Sequence, residues 1–111
     1  MIAVLLLAML AQPKGGYEPP PALWYQQAVA CAASGKVAGG KAPDSETFGE
    51  MMTWGMIMAD SGRKSGRTRE QVDSGDLDAA YPFYVRLSAK KPKAFAAHRA
   101  YCQALLDADR P

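Results

Sequence analysis

After a wholly apolar opening run, MIAVLLLAMLA (1–11), the hydrophobic positions of the chain recur at three- and four-residue spacing, the period of helices with one buried face. Trp24, Ala28 and Cys31 share such a stripe in ALWYQQAVACAAS, which predicts a first helix opening at Pro20 or Pro21 and ending near Ser34. The glycine-rich SGKVAGGKAP is expected to end it, because glycine weakens a helix. A second helix is predicted from Asp44 or Ser45, either of which can cap it, to about Asp60. Phe48, Met51, Met52, Gly55 and Met56 fall on one side of it, and Trp54, Ile57 and Met58 cover much of the other. A helix apolar nearly all round is expected to be the central one of a bundle.

The residues Thr68 to Gln71 read T-x-x-Q, a capping box that opens a third helical region. Ser74-Gly75 is expected to interrupt it, with Asp73, Asp76 and Asp78 capping the piece that follows. That piece carries Leu77, Ala80, Tyr81, Tyr84 and Leu87 on one face, and Pro82 inside it demands a kink or a restart. A short strand over FYVRL (83–87) is the alternative, but no partner strand is visible. A last helix starts near Pro92, where Phe95, His98, Cys102 and Leu105 recur at 3-4-3 spacing and point inward. The pattern therefore predicts an all-α fold: a small bundle of four to five short helices, forming a single domain over residues 21–111.

Composition sharpens this reading. With 111 residues there is room for one compact domain, rich in alanine and poor in β-branched residues, as helices favour. Hydrophobic residues at 49% and charged residues at 22% exclude wholesale disorder. A net charge of +2 gives no ground for nucleic-acid binding. The opening run is too short to span a bilayer and fits the apolar core of a signal peptide, with a Pro/Gly-rich linker at 12–20. A periplasmic or secreted protein without a stable membrane span is expected; the alternative is a cytoplasmic protein whose first helix is 1–11. Cys31 and Cys102 are the only cysteines, and in an exported chain they are expected to form one disulfide clipping the terminal helices together.

The chemistry on offer is sparse. The run MMTWGMIM (51–58) holds four of the six methionines, and thioethers suit Cu(I). Successive helical residues lie about 100° apart, so the four cannot converge on one ion, and core filling is the expected role. Met52, Met56 and His98 remain as a candidate ligand pocket. His98 and Cys102, one turn apart, resemble a base and nucleophile, but the expected disulfide removes the thiol. Two cysteines and one histidine also make a poor zinc set, so no metal site and no cofactor are expected. Arg63, Lys64, Arg67 and Arg69 precede a capped helix start and form a candidate surface for an acidic partner or anion. The layout is similar to that of small periplasmic stress chaperones and of inhibitor or immunity proteins, in layout only; no motif is shared. The expected function is therefore a non-enzymatic protein-interaction module whose partner is another protein. The alternative is a carrier of a small hydrophobic ligand or Cu(I).

Overall fold

Among the described residues four α-helices build the fold: α1 (Pro21–Gly39), α2 (Ser45–Lys64), α3 (Asp76–Lys90) and α4 (Pro92–Asp109), with a π-helical turn, Gln71–Gly75, running directly into α3. The structure is a computed structural model that describes residues 19–109. The expected signal peptide at 1–11 and most of the linker at 12–20 lie outside the described residues. The all-α bundle is as predicted, and a Cys31–Cys102 disulfide ties α1 to α4. Among the described residues no helix is long and apolar enough to cross a membrane.

Helix α1 opens at Pro21 as expected but does not end at Ser34. It runs on through Gly35 and Gly39 because those glycines let α2 come close. A Cβ at Gly39 would lie 3.2 Å from Thr47 Cγ2, and one at Gly35 would lie 3.2 Å from Met51 Cγ. The packing gained offsets the weak helix propensity of glycine. Helix α1, and not α2, is also the central helix. Ten of its residues from Trp24 to Gly35 are buried, on every side of its axis. Its small side chains, Ala28, Ala32 and Ala33 among them, admit neighbours from several directions.

Helix α2 corrects the expectation of a fully buried MMTWGMIM. Trp54 is fully buried and meets the Trp24 ring edge-on at 5.4 Å, and Met58 is buried beside them. Phe48, Met52 and Met56, however, are 54%, 55% and 70% exposed. Asp44 caps the helix by accepting from Thr47 N at 2.7 Å. The first Ser-Gly pair, Ser61-Gly62, does not stop it, because both residues are buried. The second pair does: Gly66 adopts φ +81°, its N–H donates to Arg63 O and that of Arg67 to Gly62 O. This is a Schellman ending, which needs glycine at the left-handed position.

Of the three glycines of α2, Gly62 makes the closest approach to neighbouring elements. A Cβ there would sit 2.6 Å from Val72 Cγ2 and 2.8 Å from Tyr25 Cε1, whereas one at Gly49 would meet nothing within 4 Å. Gly62→Ala is therefore expected to destabilise the protein by about 1–3 kcal/mol through overpacking. Gly49→Ala is expected to stabilise it by up to about 1 kcal/mol through helix propensity. Urea unfolding of both variants checks the contrast, and the same sign for both would refute it.

The capping box forms as predicted: Thr68 N donates to Gln71 Oε1 and Gln71 N to Thr68 Oγ1. Ser74-Gly75 does not interrupt the helix; it lies in the π turn. That turn matters for register. Val72 and Leu77 are five residues apart, an awkward spacing for one face of an α-helix, yet both pack against the core. Pro82 sits inside α3 without ending it, so FYVRL is helical and not a strand. The bond it forfeits is to Asp78 O, on a stretch where Asp78, Ala79, Pro82 and Phe83 are exposed and water can take the carbonyl. The last helix, α4, follows the predicted stripe, with Cys102, Leu105 and Leu106 buried.

Candidate metal centre

The 3-4-3 stripe of α4 brings His98 and Cys102 to the same face, one turn apart, against α1. Cys102 bonds Cys31 across the interface with Cα atoms 5.6 Å apart, an ordinary separation for a disulfide. His98 Nε2 lies 3.4 Å from Cys102 Sγ and 3.4 Å from the Ala30 carbonyl oxygen. Its ring stacks on Tyr84 at 4.8 Å. The ligand atoms of Cys31, His98 and Cys102 all lie within 4.8 Å of one another. The two cysteines are buried and His98 is half-buried.

Burial lowers the His98 pKa; Arg99 adds to this, while the Ala30 carbonyl and Glu50 oppose it. The ring is thus neutral at neutral pH, the form that binds metals. With its proton on Nε2 the ring donates to Ala30 O; with the proton on Nδ1 the Nε2 lone pair is free for a ligand. Next along α4, Arg99 fastens the centre's surroundings. Its Nη1 donates to Cys31 O at 3.3 Å and Ser34 Oγ at 3.0 Å, and its Nη2 pairs with Glu50. One guanidinium therefore joins α1, α2 and α4.

In the disulfide state the centre offers no thiolate. As a dithiol it offers two sulfurs and a neutral imidazole, a soft three-donor set. Such a set suits Cu(I) and leaves a tetrahedral zinc site one ligand short. The sequence raised no expectation of a metal site; the structure nevertheless brings together three residues that could chelate a metal. The spacing of Cys31 from His98 in the sequence gave no sign of it; the shared face of His98 and Cys102 on α4 did.

The other predicted residues fall elsewhere. Met52 and Met56 project from the exposed side of α2, too open to line a pocket, and His98 faces α1; the three do not form the expected site. The basic run is not a bare cationic patch. Arg63 and Lys64 both pair with Asp60, Arg67 with Asp76, and Arg69 with Asp73. Asp76 accordingly does not cap α3. It accepts Arg67 Nε and Nη2 at 3.1 and 2.6 Å and the Tyr25 hydroxyl at 2.8 Å. Burial raises its carboxyl pKa, but the hydrogen bonds from Arg67 and Tyr25 outweigh it and the net shift is downward. Burial, then Asp76, pushes the Tyr25 phenol up to about 12.

This Tyr25–Arg67–Asp76 cluster closes one end of a groove of about 450 Å³ between α1 and α3, with Val29, Ala30, Ala80 and Tyr84 among its walls. Ala30 and Tyr84 also touch His98, so the groove abuts the Cys/His centre. Nothing local in the sequence announces this groove, since Tyr25 and Asp76 are 51 residues apart. Comparison with protein-family models, with curated proteins and with solved structures returned no match, so the site has to be read from its own geometry.

Proposed function

We propose that this protein is a small, non-enzymatic binding domain that carries a soft metal ion, Cu(I) foremost, at Cys31, His98 and Cys102 in their dithiol state. The observation that supports this is the convergence of the three donor atoms within 4.8 Å. Disulfide and metal are alternative states of one pair of sulfurs. Opening the disulfide takes two electrons and two protons from a thiol reductant, which is itself oxidised to a disulfide; metal binding then displaces the two thiol protons. The thiol poise of the compartment selects between the states, and export, the expectation from the leader, favours the closed one.

Titration of the reduced protein with Cu(I) under anaerobic conditions, against a chromophoric Cu(I) chelator, tests the reading. A single tight site is expected. Cys31→Ser/Cys102→Ser abolishes it, His98→Ala weakens it by at least about tenfold, and Met52→Leu/Met56→Leu leaves it unchanged. A reduced wild type that competes no better than the double-serine variant overturns the proposal. A second reading, a module that binds another protein, draws support from the exposed Phe48, Met52 and Met56; crosslinking in the native compartment tests it.

A further inference from the structure

Helix α2 presents a seam to solvent. Positions 45, 48, 49, 52, 55, 56, 59 and 63 fall on one side of the helix at 100° per residue, and all eight are exposed. Its middle is apolar: Phe48, Met52, Gly55, Met56 and Ala59. Single exposed apolar residues are ordinary, but a continuous stripe at this spacing is the pattern of a helix that lacks its partner.

Two properties of the seam identify what fits it. Large and small residues are placed symmetrically about a point between residues 53 and 54. Phe48 mirrors Ala59, and Met52 mirrors Gly55, where a Cβ would meet nothing within 4 Å. Charge is arranged about the same point. Asp44 and Glu46 stand at the N-terminal end, and Glu46 has no ion pair among the described residues. At the other end Arg63 and Lys64 share the single carboxylate of Asp60, which leaves a positive charge in excess.

We propose that this face of α2 is a homodimer interface, in which two copies pack antiparallel about a two-fold axis near residues 53 and 54. Met52 of each copy then enters the space over Gly55 of the other, and Phe48 covers Ala59. The acidic end of each helix meets the basic end of its mate, and the opposed macrodipoles agree with that order. Every contact occurs twice, as an isologous interface requires. A single helix pair buries an area at the low end for stable interfaces, about 600 Å² per side, so the dimer is weak and concentration-dependent. The interface uses none of Cys31, His98 and Cys102 and does not rest on the metal reading.

Sedimentation equilibrium of the full-length chain over a wide concentration range tests the interface. A monomer–dimer equilibrium is expected. Met52→Asp, on an exposed position, weakens it by at least about tenfold while circular dichroism stays that of the folded monomer. Asp44→Lys and Arg63→Glu, at positions that face each other across the axis, each weaken it by about two- to fivefold, and the double charge swap restores it. A chain monomeric at every concentration overturns the proposal. So does a dimer indifferent to Met52→Asp, which would place association outside this face of α2. Failure of the double swap to restore association overturns the antiparallel register.

Discussion

Removing the Cys31–Cys102 bond, by a reductant or by Cys31→Ala/Cys102→Ala, is expected to lower the unfolding free energy by about 4 kcal/mol. The bond closes a loop between positions 71 residues apart, from the central helix to the last. For a loop of that length, the lost closure entropy of the unfolded chain corresponds to roughly 4 kcal/mol at 25 °C. A domain of this size has about 5–15 kcal/mol in total, so the bond is a large share of the whole. Its loss also removes the one covalent tie between α1 and α4. Paired urea unfolding curves with and without reductant measure the effect. The reduced protein should also show a larger m-value, because its unfolded chain is less compact. A difference below about 1 kcal/mol would mean that the loop is held in the unfolded state by other means. Adding Cu(I) to the reduced protein should return part of the loss, by an amount set by the metal's concentration over its dissociation constant. The stability measurement thus doubles as a check on the proposed site, with a readout separate from the chelator titration.

The second large effect is expected at Arg99. Arg99→Ala should destabilise the protein by about 2–4 kcal/mol, because it leaves the largely buried Glu50 carboxylate without its counter-charge. The pair is well shielded, with the two side chains only 16% and 11% exposed. The same substitution strips a donor from Cys31 O and from Ser34 Oγ inside the bundle. Glu50→Ala alone leaves the guanidinium stranded and should cost a similar amount. The double variant should cost clearly less than the sum of the two, the signature of a direct coupling. Chemical unfolding of the four proteins in the cycle measures it. Additive losses would show that Arg99 acts through its bonds to α1 and not through Glu50. Added salt should change the result less than for the exposed Arg69–Asp73 pair, because a partly buried pair is screened less.

Much of the local architecture was legible because it is written in short-range chemistry. Asp44 caps α2, Thr68 and Gln71 close their box, Pro21 and Pro92 open helices, and the 3-4-3 stripe of α4 faces inward. Each of these depends on residues within one or two turns, so spacing alone reveals it. The misreadings share the opposite cause. Glycine reads as a breaker in SGKVAGGKAP, yet Gly35 and Gly39 lie in α1 and, with Gly62, are the residues that let α2 come close to its neighbours. The methionine density of MMTWGMIM suggests burial, but only one side of α2 reaches the core. Asp76 has the position of a cap, but its partners Arg67 and Tyr25 come from other parts of the chain.

The candidate site divides along the same line. That His98 and Cys102 share a helical face follows from their separation of four, and one disulfide follows from two cysteines. That Ala30 O and Tyr84 hold the imidazole against the sulfur depends on how three helices cross. The sequence by itself determined which segments are helices, how most of them begin, and which face of α4 is apolar. Propensity, capping and periodicity act over a few residues and are decided locally. Only the tertiary structure decided that α1 is the centre, that the outer seam of α2 is left bare, and that two cysteines and a histidine meet. Those outcomes rest on contacts between residues as much as 71 apart, whose free energy exists only once the chain has packed.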